Sequence, residues 1–547
     1  MNSESNNLTV FPRRASGLVK SIGITGAIVF GVHCISLSSS GFIPFSWVAS
    51  VWPGASIIGL LLVAMLVSML HGYTFASIGI AMPRSGADYV LASRLLNPSL
   101  AFSASWTLVI FSGIVAGGLI AWIPKSAIPA LLQPMSIIFG NETYSRLAVY
   151  SSSTEGSFLI GSFCVLITLG LMLFPNRLIL RTMSAGLILG LVAWAIILWS
   201  LIDSTPETFR QSWNHFMGTS SAFGFFDQRV ELAKKVGMVI SDSRTTMTLA
   251  GLIMGFWIFY GYYIPTFFSG EVQNAESSRT LLIASWSSII ITGFIFIAAA
   301  FFLQKLVPEN WIAAEGFLFN NQDAVTKTAG KPVIALPWIT FYAAILKPIF
   351  PLIIFTAIAW IYTLINLAQT YFFYSSRIMF SWAFDRVIPE YFAYVNPKTG
   401  SPIPCVIAIA VLAEIGVIDA SYGGPLGTQL TFAFFAVVTQ IVSVLAITIF
   451  PYKAPEQFRL CPGFLTKRAF GIPRITIIGG LTLLYLLWMV VASFLFPAVG
   501  VSNPTNTVIL LIIIATSGFC VFFFARWYRK KYEGLDLSLI YQSAPPV

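Results

Sequence analysis

The residues best placed to do chemistry in this 547-residue chain lie in two apolar stretches interrupted by small residues. One is "GITGAIVFGVHCISLSSSG", Gly23 to Gly41; the other is "GLIMGFWIFYGYYIPTFFSG", Gly251 to Gly270, which meets its first charge at Glu271. Both are long enough to cross a bilayer. An interrupted helix leaves free N–H groups at the positive end of one helix dipole beside free C=O groups at the negative end of another. Such backbone persists at membrane depth only where protein covers it or a cavity lines it. A zwitterion finds partners for both its charges there. Glycine for close helix packing and proline for a kink explain either stretch taken alone, whereas interruptions at matching places in both favour a binding site.

Several side chains could serve such a site. His33 in the first span and His71 in the second titrate near neutrality and are candidates for proton coupling. Thr356 and Thr363, seven apart with Trp360 between them, share a helix face and could offer hydroxyls to sodium, although threonine commonly bonds back to its own helix. Glu414 in "VLAEIGV" is an intramembrane carboxylate and a functional suspect for that reason. Glu271 with Arg84 or Arg377 could form an ion pair that closes a cytoplasmic gate. No HExxH, no GxSxG with a matching base and no Asp-rich pair is present, which argues against an enzyme. Cys34, Cys164, Cys405, Cys461 and Cys520 are scattered, so neither a disulfide framework nor a zinc site is indicated. No cofactor is expected; the coupling ion, H+ or Na+, stays open.

The elements that must position these residues are membrane helices. The chain is 57% hydrophobic and 10% charged, against about 45–50% and about 25% in soluble domains. Runs of about 20 apolar residues fall near 17–40, 50–80, 99–123, 157–174, 178–202, 248–270, 280–306, 348–380, 403–418, 429–450, 473–497 and 506–527. They divide the chain into an N-terminal tail (1–16), five helices (17–202), an outer loop (203–247), five more helices (248–450), helices eleven and twelve with their preceding loop (451–527) and a C-terminal tail (528–547). An odd number of helices per half inverts the second half in the membrane. The expected fold is an all-α polytopic membrane protein of about twelve transmembrane helices, a five-plus-five inverted repeat with broken first and sixth helices plus two peripheral ones.

Charge sets the orientation. Lys plus Arg number 31 against 21 Asp plus Glu, a net +10. Basic residues concentrate in the loops that share a side with the N-terminus, which the positive-inside rule places in the cytoplasm, with both termini. They are spread over all those loops rather than gathered with aromatics, so no nucleic acid partner is expected. The first residues lack a cleavable secretory signal, and a plasma-membrane location follows as the expectation. "ELAKKVGMVI" in the outer loop suits a short helix on the outer surface, and Asn141–Thr143 fits a glycosylation sequon in another outer loop.

"FWIFYGYYIPTFFSGEVQNAESSR" resembles the sixth-helix signature of the amino acid-polyamine-organocation (APC) superfamily, with Phe256, Trp257, Phe259, Gly261, Glu271, Asn274 and Arg279 in register and Ala275 where Pro is usual. "MPRSGADYVLASRLLNP", 82–98, is similar to that family's loop after the second helix. "SSRIMFSWAFDRVIPEYFAYVNPKTGSPIP", 375–404, is similar to its loop after the eighth, with Arg377, Asp385, Pro389 and Pro402 in order. The resemblance implies a leucine-transporter-type bundle working by alternating access around a midplane amino acid site. It implies that N–H groups of Ile24, Thr25, Gly26 and Ala27 meet the substrate carboxylate and that carbonyls near Phe256, Trp257 and Phe259 take the ammonium. Trp257, Phe259, Tyr260 and Tyr263, beside Gly261, would wall the pocket, with Trp106 and Trp360 as additions.

Departures from the family pattern narrow the expectation. Ile28 stands at the usual second glycine, Ser77 at a usual acid, and the fifth helix has no Lys, so the ion is not fixed; a proton is favoured over sodium. Tyr263 stands where carriers of cationic substrates have Glu, and no carboxylate precedes Glu271 in the site helices, so a buried cation would lack a counter-charge. The expected function is secondary active transport, ion-coupled or exchanging, of a neutral amino acid, bulky and apolar or aromatic. A polyamine or cationic amino acid carrier is the alternative, as is an amino acid sensor without flux. A channel would need polar pore-lining rings, which these spans lack. The expected partners are a small-molecule amino acid and the lipid bilayer, with the protein a monomer or homodimer.

Overall fold

A computed structural model describes residues 16–219, 225–276, 279–330, 333, 335–429 and 432–543; nearly all of the 1–16 tail and the last four residues lie outside them. Among the described residues, ten continuous helices are long and apolar enough to cross a membrane. Spans two to five are Ile57–Ala81, Pro98–Ile138, Thr154–Met172 and Asn176–Ile202; seven to twelve are Thr280–Leu306, Phe350–Phe384, Ile403–Tyr422, Phe434–Lys453, Arg474–Leu495 and Pro504–Tyr532. Side chains cap several starts as their sequences dictate. Ser56 Oγ accepts from Gly59 N–H and Ser153 Oγ from Gly156 N–H, while Asn97 accepts from Ser99 N–H ahead of Pro98 at the first helical position. The third span runs well past the expected 123, through a π-helical turn at Ile123–Ala127 that absorbs Pro124.

The first span is the bent pair Ile24–Ile35 and Ser39–Val51, whose halves meet at 42°. Its break is at Ser36–Ser38, inside the Gly23–Gly41 stretch that the sequence marks as interrupted, and Ile24, Thr25, Gly26 and Ala27, whose N–H groups the resemblance offers to a substrate carboxylate, lie before it. Those four residues open the Ile24–Ile35 helix, and Ala27 N–H already donates to Gly23 O at 3.0 Å. They sit about 14–18 Å from the break at about 1.5 Å per helical residue. Serine chemistry explains the place of the break. Ser36 Oγ takes the Ser39 N–H at 3.1 Å, Ser40 Oγ donates to Ile35 O at 2.5 Å, and Ser36 adopts φ +68°. These local bonds offer the backbone an alternative to the helix ladder, which the glycines further back do not.

The sixth span, expected at 248–270, is two short helices, Arg244–Ala250 and Leu252–Ile258, followed by turns and two 3₁₀ segments, Ile264–Phe267 and Ser269–Glu271. The turn depends on Gly261, at φ +113°. A Cβ there would lie 2.5 Å from Cys34 Cβ and 2.8 Å from the Cys34 carbonyl carbon. The second break is thus pressed against the last turn before the first.

The first and last described segments, around Ile22 and Leu537–Gln542, lie on one face of the bundle, the terminal face; the opposite one is the far face. On the far face, helices Pro206–Thr219, Arg229–Val236, Glu309–Asn320 and Ile339–Leu346 form a cap around Phe209, Trp213, Trp311 and Tyr342. The short helix expected at "ELAKKVGMVI" is the second of these. Unforeseen is a fully buried ion pair inside the cap, Arg229 with Glu315, the guanidinium lying over the Trp213 ring. On the terminal face, helix Ala87–Leu95 carries Arg94, which clasps Asp385 through two bonds of 2.6 and 2.8 Å. The C-terminal turn Leu537–Gln542 folds back onto that helix, with the Tyr541 and Tyr89 hydroxyls 3.2 Å apart.

Candidate functional site

The two breaks bring Cys34, Ser36, Gly261 and the aromatic residues after Phe259 together inside the bundle. From the second break a chain of polar contacts crosses the core. Gln440 Nε2 on the tenth span donates to Tyr263 OH at 2.6 Å, so its Oε1, 2.9 Å from His71 Nε2, accepts from that nitrogen. The Tyr260 hydroxyl interacts with those of Tyr263 and Tyr374, and Tyr374 donates to Ser112 at 2.7 Å. His71 is packed between Phe75, stacked at 4.6 Å, and the edges of Phe256, Tyr262 and Tyr263.

Beyond the first break lies a cavity of about 920 Å³, counting space open to solvent. It begins at Ser39, passes Trp122, Thr356 and Trp360, and reaches Trp338 and Lys347 at the far face. Lys347 is its one charged lining residue among those described, and the ammonium pairs with Asp203 and lies over the Trp199 ring. Aromatic faces, hydroxyls and a single cation make a lining suited to an apolar body with an anionic group.

The terminal face is sealed. Ile22 N–H donates to Glu271 O at 3.0 Å, Gln273 N–H to Ile22 O at 2.8 Å and Gly86 N–H to Phe267 O at 2.7 Å, so the end of the sixth segment is stitched to two other strands of chain. Below them Arg377 Nε donates to Glu271 Oε1 at 2.8 Å, Asn176 Nδ2 donates to Glu271 Oε2 at 2.8 Å, and both charged side chains are 0% exposed. The guanidinium lies 3.6 Å from the Phe373 ring centroid. A buried carboxylate needs this many partners to stay charged.

The sequence profile of the family described as "Amino acid permease" matches residues 17–519. The chain belongs to the amino acid permease family. Its similarity to the "Cystine/glutamate transporter" of Homo sapiens is 24% identity over 293 residues, 53% of this chain and 49% of that one; the Pongo abelii protein of the same description gives the same figures. The chain thus matches about half the length of these curated relatives. The family is one of transporters rather than enzymes.

In this permease the structure sorts the expected residues. Phe256, Trp257, Phe259, Tyr260, Gly261 and Tyr263 do surround the second break, but none of them lines the far-face cavity. Trp360 lines it; Trp106 does not, its Nε1 donating instead to Ser517 of the twelfth span at 3.0 Å. Thr356 lines the cavity while donating to Leu352 O, and Thr363 donates to Trp360 O at 2.9 Å with its methyl toward Gly190, so the two hydroxyls do not converge. His33 Nε2 is 2.7 Å from Met183 O on the fifth span. Glu414 accepts from Ser162 at 2.5 Å. Of the two arginines expected near Glu271, Arg377 pairs with it; Arg84 donates to Pro83 O at 3.0 Å and faces Glu276. Gln440 and Asn176 were missed, because a single amide in an apolar helix carries no spacing signal.

Proposed function

We propose that the protein is a secondary active transporter of a neutral amino acid with a bulky apolar or aromatic side chain, working by alternating access in the plasma membrane with the terminal face in the cytoplasm. The observation that carries this is the apposition of two broken spans at Gly261 and Cys34, beside a cavity whose described lining holds aromatics, hydroxyls and no carboxylate. Helix ends at the breaks supply partial charges for a zwitterion. The cavity offers no counter-charge to a cationic side chain, which sets a polyamine or cationic amino acid second. With the far-face cavity open and the terminal face sealed at Glu271 and Arg377, the arrangement is that of an outward-facing carrier. Proton drive or exchange is favoured over sodium, because Thr363 is not part of the cavity lining and the two threonines therefore offer it a single hydroxyl.

The test is uptake of a mixture of labelled amino acids by proteoliposomes under a proton gradient, under a sodium gradient, and with neither but with amino acid preloaded. Accumulation of neutral, bulky amino acids under the proton gradient or against preloaded substrate is expected. Saturable binding without flux in all three would make the protein a sensor, and preferential uptake of lysine or putrescine would install the alternative substrate class.

A further inference from the structure

A second, smaller cavity of about 220 Å³, again counting space open to solvent, lies between helix Ala87–Leu95, the third span and the tenth, lined by Asp88, Tyr89, Ser105, Thr439 and Ser443 among apolar residues. Asp88 is 4% exposed. Backbone N–H groups of the first helical turn hold part of its carboxylate, but Oδ1 has no partner among the described residues. Two of the hydroxyls around the cavity have spent their protons elsewhere. Thr439 Oγ1 donates to Ala436 O at 2.9 Å; Ser105 Oγ donates to Phe102 O at 3.0 Å and accepts from Trp382 Nε1 at 2.9 Å. Acceptor lone pairs of Thr439 and Ser105 thus line the cavity that the unpartnered Asp88 Oδ1 also lines, a setting that a bound proton satisfies. None of the lining residues is basic.

The other titratable groups near this end are already engaged. Arg94 and Asp385 close on each other, and the Tyr89 hydroxyl meets Tyr541. No group of three or more His, Cys, Asp or Glu that could hold a metal occurs among the described residues, so a multivalent ion does not fit, and one carboxylate suits a single charge. The position is also mechanically connected. Two residues before Asp88, Gly86 N–H donates to Phe267 O at 2.7 Å, in the segment that ends at Glu271; one residue after Thr439, Gln440 bonds to Tyr263 at the second break.

We propose that Asp88 is a proton-binding site of the transport cycle, protonated while the terminal face is sealed and giving its proton back to water when that face opens. Protonation turns Oδ1 from an unpartnered acceptor into a donor toward the surrounding hydroxyl oxygens, which stabilises the sealed arrangement; opening admits water and favours the charged form. Burial pushes the carboxyl up to about 7, which places the exchange near neutrality. This rests on the transporter assignment above and specifies its ion.

The full chain in proteoliposomes decides the matter through Asp88→Asn, which keeps the shape and fixes the uncharged state. The expected result is that Asp88→Asn retains exchange of preloaded amino acid but loses its pH dependence, and accumulates about tenfold less under a proton gradient. Unaltered proton-driven accumulation and pH profile would overturn the proposal. So would sodium-driven uptake in the unsubstituted protein that Asp88→Asn abolishes, since the carboxylate would then hold sodium. Absence of all flux in the unsubstituted protein would refute the transporter assignment instead, and a second measurement would still test the site. The melting temperature of the detergent-solubilised protein should fall relative to Asp88→Asn as pH rises from about 4 to about 7, because a raised folded-state pKa gives the folded state the extra proton over that window and stability is lost as it leaves. Should Asp88→Asn fail to fold, Thr439→Val, which removes an acceptor for the bound proton, should move the midpoint of that fall to lower pH. A fall equal in every variant would overturn the proposal.

Discussion

Arg377 Nε and Glu271 Oε1 stand 2.8 Å apart with neither side chain exposed, and this contact joins the end of the broken sixth segment to the eighth span at the sealed face. Asn176 of the fifth span completes the cluster by bonding Glu271 at 2.8 Å and Ser21 at 3.2 Å. Removing one partner of such a pair costs about 3–5 kcal/mol, because the remaining charge stays buried. A molecule with a second conformation escapes that cost by opening. Glu271→Gln should therefore increase labelling of a Ser21→Cys variant from the terminal side by about tenfold or more. Unchanged labelling would mean that the pair braces the fold and does not gate it.

Gly261→Ala meets two obstacles, a φ of +113° and a Cβ 2.5 Å from that of Cys34. Loss of transport and a destabilisation of about 1–3 kcal/mol are expected, read by melting and by uptake. Shrinking Cys34 to glycine in the same protein should not restore function, because the Cys34 carbonyl carbon at 2.8 Å and the backbone angle both remain.

Within the far-face cap, Arg229→Ala should lower stability by about 3–5 kcal/mol by stranding Glu315, whose carboxyl burial already pushes upward. The paired replacement Arg229→Met with Glu315→Leu should recover most of the loss. Thermal melting of the three proteins checks this; a double variant no better than the single one would show that the ion pair itself supports the cap.

Trp360→Ala and Trp122→Ala should each raise KM for a bulky substrate by about tenfold while sparing small amino acids, since both rings line the far-face cavity. Thr363→Val should leave KM unchanged, because that hydroxyl is spent on Trp360 O and the side chain is not part of the lining. Equal effects on substrates of every size would place recognition elsewhere.

Hydropathy made the spans legible, because a bilayer imposes one length and one composition on whatever crosses it, and three motifs, in the sixth span and in the segments 82–98 and 375–404, made the family legible. The second break was legible too, since Gly261 and Pro265 are residues whose backbone restrictions act locally. The first break was legible only as a stretch, Gly23 to Gly41, because small residues run through all of it. "SLSSS" breaks the helix there through side-chain bonds to its own backbone, which no spacing rule singles out.

What the sequence alone determined about this protein is therefore what each residue does to its own neighbourhood: apolar spans, capped starts, turns at glycine, basic loops on one side. Partner choice was decided by the tertiary structure. Glu271 could have met either Arg84 or Arg377, and only the packing of the fifth, sixth and eighth segments selects the second. Asp88 reads as an ordinary first-turn acid until the third and tenth spans close over it. Burial and the distance between residues far apart in the chain set the energy of a charge, and neither is encoded at any single position.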